Sequence, residues 1–151
     1  MPLAIDLLSL KERLKTKIVD KTRFVWDDIR KKYYVLTPEE TVRQLFILHL
    51  LENEAYPKNK IAVEKKITVL SRSKRFDIVV FDKDGKNTFM LIECKSPDVA
   101  LTQDTINQVL SYNMTLQASY IAVTNGLETF CFAVHTGEQN PVALEHFPTY
   151  R

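Results

Sequence analysis

Asp77, Glu93 and Lys95 are the residues whose types and spacing could do chemistry. They lie in one stretch, residues 74–97 (KRFDIVVFDKDGKNTFMLIECKSP), where two apolar runs are joined by a polar turn. Asp77 interrupts the first run, and Glu93 and Lys95 end the second. Side chains alternate across a strand, so residues two apart share a face. Glu93 and Lys95 are therefore expected to point the same way, with Phe89 and Leu91 before them. Asp77 is expected to share a face with Val79 and Phe81 on the partner strand. If the register permits, two carboxylates and an ammonium meet at one end of an apolar surface. Carboxylates this close repel each other unless a cation lies between them. Hard oxygen ligands with open positions suit Mg²⁺ or Mn²⁺, which keep waters and accept phosphate oxygens. A protonated lysine cannot ligate, but it can stabilise a pentavalent phosphate or orient an attacking water. The competing reading is a salt-bridged hairpin, because E-x-K alone is a common pattern. Its setting favours chemistry: it ends an apolar strand, an aspartate interrupts the strand before it, and a helix follows at once.

The elements that must position these groups can be read along the chain. Residues 3–14 place Leu3, Leu7, Leu10 and Leu14 at helical spacing, for a short amphipathic helix or an irregular arm. LKTKI and RFVW suggest a hairpin, with Trp26, Tyr33 and Tyr34 as packing anchors and residues 27–32 as one helical turn. A helix is expected over 38–53, with Thr37 as N-cap, Pro38 in the first position and Glu40 completing a capping box. Its buried stripe is Val42, Leu45, Phe46, His49 and Leu50, and His49 reads as a helix-face histidine, not a ligand. Residues 55–59 form a loop. Strands follow at 61–70, 75–81 and 88–95, with turns at 71–74 and 82–85. A second helix opens at Thr102 or Asp104 and reaches about Leu116; strands at 119–124 and 128–134 flank the Asn125-Gly126 turn. A helix between the third and fourth of these strands implies a parallel, right-handed crossover. The expected fold is an α/β sandwich, a central mixed five-stranded sheet flanked by helices in the order αβββαββ. One domain is expected over 1–151, with an N-terminal arm at 1–35, the core at 36–134 and an irregular tail at 135–151.

The totals fit this reading. The chain has 151 residues with 45% apolar and 26% charged content, ordinary for a soluble globular protein. No apolar run approaches a membrane span, and no signal-peptide pattern opens the chain. Two cysteines outside any C-x-x-C pair suggest a reducing cytoplasm and argue against zinc. The net charge of +2 is unevenly spread: 17 Lys/Arg against 10 Asp/Glu up to Arg75, and 4 against 9 after it. A basic front half can hold a phosphate backbone or simply keep the chain in solution.

Taken together, Asp77 and Glu93-Cys94-Lys95 resemble the PD-(D/E)xK nuclease superfamily. Phe76 stands where that pattern usually has proline. Gln108 and Tyr112, in QVLSY, resemble the Q-x-x-x-Y motif of the RecB-like branch and of type I restriction subunits; residues four apart share a helical face. More narrowly, TPEETVRQ, KRFDIVVFD, LIECKSP, QVLSYN and YIAVTNG, in that order, resemble the N-terminal nuclease domain of type I restriction enzyme R (HsdR) subunits, over about 36–132. The resemblance implies metal-dependent hydrolysis of phosphodiesters, in DNA, in a cytoplasmic restriction-modification setting. Asp77, Glu93 and the backbone carbonyl of Cys94 would hold Mg²⁺ or Mn²⁺, and Lys95 would position or deprotonate the water. Gln108 and Tyr112 would hold Lys95 or a phosphate, and a glutamate of the first helix, Glu40 or else Glu39, would complete the metal site. Arg43 is expected to pair with a site carboxylate or touch phosphate, and Lys74 and Arg75 are candidates for phosphate contacts. These 151 residues contain no G-x-x-x-x-G-K-[ST] loop, so the expectation is either a stand-alone nuclease or one that works with a motor or methylation subunit in trans. The rival expectations are a nucleic-acid-binding module that keeps the fold without cleavage, and a docking module for such a partner.

Overall fold

A computed structural model describes residues 2–69, 71–116, 118–134 and 141–151; the side chains of 69, 72 and 112–116 are not described. Two sheets form. The smaller is an antiparallel meander of β1 (Thr16–Val19), β2 (Thr22–Asp27) and β3 (Lys32–Val35). The larger is built in the order β4 (Ile61–Val69), β5 (Arg72–Phe81), β6 (Thr88–Cys94), β7 (Tyr120–Thr124), β8 (Thr129–Ala133) and β9 (Val142–Ala143). Every neighbouring pair in it is antiparallel except β6 and β7, which are parallel and joined through helix α2 (Gln103–Leu116). Helix α1 (Pro38–Leu48) precedes β4. The expected αβββαββ order is present, but the sheet has six strands, not five. The tail expected to be irregular supplies the sixth strand, where Phe132 and Ala133 pair with Ala143 and Val142. The tail also packs: the Tyr56 hydroxyl donates to the Pro148 carbonyl at 2.7 Å and the Tyr150 hydroxyl to that of Phe81 at 2.7 Å.

The sheet is covered on both faces. On one side Leu3, Leu7 and Leu10 of the arm join Val42, Leu45, Phe46 and Leu50 over Ile78, Val80, Met90 and Ile92. On the other, Val109 of α2 packs with Phe76, Val79, Leu91, Ile121 and Val123. Each fully buried large apolar side chain here stabilises the fold by about 1.5–3 kcal/mol. The arm is a 3₁₀ turn at Leu8–Arg13, held to the sheet by a hydrogen bond from the Leu3 N–H to the Thr129 carbonyl at 2.7 Å.

Several local expectations change. LKTKI and RFVW do pair, and β3 extends the hairpin to three strands. The segment between β2 and β3 is a single helical turn, closed by the Lys31 N–H on the Asp27 carbonyl at 2.8 Å. Helix α1 starts as expected, with Thr37 Oγ1 accepting from the Glu40 N–H at 3.0 Å and proline in the first turn. It then widens into a π-helical turn at His49–Asn53, where the Glu54 N–H reaches the His49 carbonyl at 3.1 Å. Its neighbours Glu54 (2.8 Å) and Asn53 (3.0 Å) engage the two ring nitrogens of His49. Residues 72–74, expected in a turn, are in strand β5, because the β4–β5 pairing runs out to Val69 and Arg72.

The Asn125-Gly126 turn brings β8 against α1. Gly126 has φ +88°, and a Cβ there would stand 3.1 Å from Cγ2 of Val42. Gly126→Ala is therefore expected to cost about 1–3 kcal/mol, from left-handed backbone and crowding together. A urea midpoint equal to that of the wild type would refute this.

Candidate active site

The site grows from three places: the first turns of α1, the middle of β5 and the end of β6. On α1, Glu40, Arg43 and Gln44 lie three and four residues apart, share one face and are buried. Glu40 does not close the expected capping box. Both its oxygens accept from Arg30 Nη2 at 2.9 Å, one accepts from Arg43 Nη1 at 2.7 Å and the other from Gln44 Nε2 at 3.1 Å. Two buried guanidinium groups offer a carboxylate far more than one backbone N–H at a helix start can, so the side chain turns inward. Arg30 is itself oriented by Asp27 (Nε to Oδ2, 2.6 Å). Asp27 also accepts from Gln44 and from the N–H groups of Ile29 and Arg30.

Arg43 carries this network to β5. Its Nη2 donates to Asp77 Oδ1 at 2.6 Å, and Asp77 Oδ2 accepts from the Cys94 N–H at 2.8 Å. Burial disfavours the Arg43 charge, but the Asp77 and Glu40 carboxylates more than offset that and hold its pKa above the usual arginine value. Arg43 Nε is buried and has no hydrogen-bond partner.

Asp77 departs from the expected alternation. It reaches α1, whereas Val79 packs with Val109 on the opposite side, and Phe76 packs there too. The reason lies across the ladder. Val63 pairs with Ile78 and Lys65 with Phe76, but Glu64, between them, has φ +54°. A non-glycine residue in left-handed backbone inside a strand is strained, and such strain persists only where its surroundings enforce it. The break lets β5 slip its in-and-out phase at Asp77 and brings the Glu64 carboxylate within 3.3 Å of Arg30 and 3.6 Å of Arg43. A second irregularity, between Val80 and Phe81, puts Thr88 opposite Phe81. Phe89 therefore does not share the face of Leu91; it packs edge-on against Tyr56 in the other core.

Glu93 lies one step past the Ile78–Ile92 pair, close enough to Asp77 to feel its charge. Its Oε2 is 3.3 Å from Lys74 Nζ and 3.8 Å from Lys95 Nζ. Burial, and then the neighbouring Asp77 charge, push the Glu93 carboxyl up to about 7 in spite of Lys74 and Lys95. The ion pairs around the site link six carboxylates (Asp27, Glu39, Glu40, Glu64, Asp77, Glu93) to four cations (Arg30, Arg43, Lys74, Lys95). That surplus of negative charge, and the repulsion felt by Glu93, suit a divalent cation. Among the described residues no group of three or more His, Cys, Asp and Glu side chains is gathered around one metal position. The donor set that fits is two carboxylates, Asp77 and Glu93, with the Cys94 carbonyl and water. Mg²⁺ is commonly held by just one or two carboxylates.

The raised Glu93 pKa has a stability consequence. Below pH about 4.5 the carboxyl is protonated in both folded and unfolded chains and contributes no penalty. As pH rises the unfolded chain ionises first, so the penalty grows until the folded group ionises near 7, and it is full above that. Its size is at most about 3 kcal/mol. Glu93→Gln is therefore expected to gain stability over the wild type between pH 5 and 8 in the absence of divalent metal. Urea unfolding at the two pH values measures it, and parallel behaviour of the two proteins would sink the assignment.

The other candidates divide. Glu39 is mostly exposed and lies 3.4 Å from Arg43. Lys74 joins Glu93 directly, while Arg75 is exposed on β5 opposite Lys66. Gln108 is exposed on α2, and the Tyr112 side chain lies outside the described residues. Asp27, Arg30, Gln44 and Glu64 belong to the network without having been expected there. Gln44 ends the TPEETVRQ motif but was given no role, Arg30 lies in no motif, and only the strained backbone of Glu64 marks it.

The model of a family described as type I restriction enzyme R protein N terminus (HSDR_N) matches residues 38–148. Among solved structures, a fragment of a proposed HsdR subunit of a type I restriction enzyme from Vibrio vulnificus YJ016 has a similar fold. Its TM-score is 0.54 at 22% identity, over 74% of this chain. The chain spans 23% of the length of that structure. A looser likeness, TM-score 0.47 at 13% identity over 94% of this chain and 85% of the other, is to a proposed nuclease of the DUF820 group from Anabaena variabilis ATCC 29413. No curated protein matches the chain.

Proposed function

From the premise that this chain belongs to the type I restriction enzyme R protein N-terminal family, we propose that it is a metal-dependent nuclease of the PD-(D/E)xK type that hydrolyses phosphodiester bonds in DNA. The observation that carries this reading is the gathering of Asp77, Glu93 and Lys95 where β5 meets the end of β6, with Glu93 pushed up to about 7 by burial and by Asp77. Asp77, Glu93 and the Cys94 carbonyl would hold Mg²⁺ or Mn²⁺, which supplies neutralisation of phosphate charge and a more acidic water.

The chain's own residues do the rest. Lys95, 3.8 Å from Glu93 and partly open to solvent, orients the attacking water and faces the negative charge that develops on the phosphoryl oxygens. Its backbone is fixed by the Lys95 N–H on the Thr124 carbonyl at 2.8 Å, so the parallel β6–β7 pairing sets the position of the side chain. Arg43 and Glu40 act as positioning residues: they hold Asp77 in place from α1. Lys74, which contacts Glu93, and Arg75, exposed on β5, remain proposed as phosphate contacts. Gln108 and Tyr112 remain proposed as supports for Lys95 or a phosphate from α2. The partners proposed are DNA and a motor or methylation subunit, in a cytoplasmic restriction-modification system. Among the described residues no helix is long and apolar enough to cross a membrane.

One observation favours a second reading, nucleic-acid binding without cleavage. Both Asp77 oxygens are already engaged, by Arg43 and by the Cys94 N–H. Titration of Mg²⁺ and Mn²⁺ against melting temperature, alongside plasmid cleavage, separates the two. The nuclease reading expects a metal-dependent rise in melting temperature and metal-dependent cleavage, both lost in Asp77→Asn. A rise that survives the substitution, or no rise and no cleavage, supports the binding module.

A further inference from the structure

The three-stranded sheet β1–β3 lies wholly before the residues that the family model matches. Its two faces differ. The register, with Thr16 opposite Val25, Trp26 opposite Tyr33 and Phe24 opposite Val35, puts Val25 and Asp27 on the inner face, where both are fully buried. The outer face carries Lys15, Lys17, Phe24, Trp26 and Tyr33. Phe24, Trp26 and Tyr33 are half-buried and belong to neither core cluster. Trp26 and Tyr33 meet edge to face with centroids 5.1 Å apart. Lys15 Nζ stands 5.2 Å from the Trp26 ring centroid and Lys17 Nζ 3.9 Å from that of Tyr33. At the rim, Val19 and Val35 are about half exposed. Residues 15–35 carry seven Lys/Arg against three Asp/Glu, the reverse of the balance after Arg75.

We propose that this outer face binds single-stranded DNA, with bases stacked on Trp26 and Tyr33 and phosphates held by Lys15 and Lys17. Aromatic rings on a sheet flanked by mobile cations supply both terms that sequence-tolerant single-strand binding needs. A base that slides onto a ring displaces the lysine ammonium above it, and the freed ammonium meets the phosphate beside that base. A duplex keeps its base faces stacked inside and can use only the lysines. The platform is fastened to the active site. Asp27, at the end of β2, accepts from Gln44 of α1, and Arg30 in the following turn reaches Glu40, one helical turn before Arg43. These bonds leave from the inner face, so they fix the sheet on α1 and leave the outer face open. The proposal rests on the nuclease reading only in taking DNA as the strand; the binding itself needs no cleavage.

Trp26 is the only tryptophan of the chain, so its emission reports on this face alone. The test titrates the full chain with oligo-dT in EDTA, where cleavage cannot contribute, and follows both Trp26 emission and the anisotropy of a labelled oligonucleotide. Saturable quenching is expected to track binding. The exposed pair Lys15→Glu/Lys17→Glu is expected to weaken binding at least about tenfold and to reduce its salt dependence. Tyr33→Leu is expected to weaken it about fivefold to a hundredfold. Lys15 and Lys17 are exposed, so the double variant keeps the test valid if Tyr33→Leu fails to fold. Three results would overturn the proposal: no binding or binding without quenching, wild-type affinity in the lysine variant, or equal quenching by a duplex of the same length or by poly-glutamate. A chain that cleaves nothing can still pass this test, and an active nuclease can fail it.

Discussion

Arg43→Met lowers the stability of the chain by about 3–5 kcal/mol, the expected result of breaking a buried ion pair from one side. Arg43 is buried; its ion pair at 2.6 Å to Asp77 ties α1 to β5, and its pair at 2.7 Å to Glu40 lies within α1. Methionine keeps an apolar stem as far as the Nε position, so most of the packing of the arginine stem is retained. The loss comes from carboxylates that stay behind: Asp77 keeps only the Cys94 N–H, and Glu40 keeps Arg30 and Gln44. In a chain of this size each kcal/mol moves the melting temperature by about 2–4 °C, so a fall on the order of 10 °C follows. Urea unfolding in EDTA measures it. Divalent cation should return part of the loss, since it can take over the neutralisation of Asp77. A change under about 1 kcal/mol would mean that the pair is worth no more than one on the surface, and that Arg43 does not hold Asp77 in place.

Lys95→Ala is expected to slow metal-dependent cleavage about a thousandfold while leaving stability nearly unchanged. The two halves of that statement have separate causes. The ammonium lies 3.8 Å from Glu93 and is about one-third exposed, so as an ion pair it contributes little to folding. In the proposed mechanism the same charge would face the phosphate, where it stabilises the transition state. Initial rates of plasmid nicking in Mg²⁺, with unfolding curves of both proteins, check the split. Activity within tenfold of the wild type would remove Lys95 from the chemistry. A large fall in stability would make it a structural residue.

The order of elements was legible because its signals are local. Period-two apolar runs marked β4 to β8, Thr37-Pro38 marked the start of α1, and Asn125-Gly126 marked a turn, each within a few residues. The parallel neighbour of β6 followed from a helix lying between two strands. The short β9 was not legible, because two residues with no pattern of their own pair only where β8 leaves an edge.

Within the site the division is sharper. The residue types by themselves marked Asp77, Glu93 and Lys95, because a carboxylate inside an apolar run and an E-x-K at its end are anomalies visible in one dimension. Only the tertiary structure decided which group each carboxylate faces. Glu40 left its capping box because Arg30, ten residues earlier, is brought to it from the turn after β2, beside Arg43 of the same helix. Asp77 turned to α1 because Glu64, thirteen residues earlier, breaks the ladder opposite it with φ +54°. Side-chain type and spacing depend on near neighbours along the chain. The partner of a buried charge depends on which distant backbone arrives beside it, and that is settled only when the layers close.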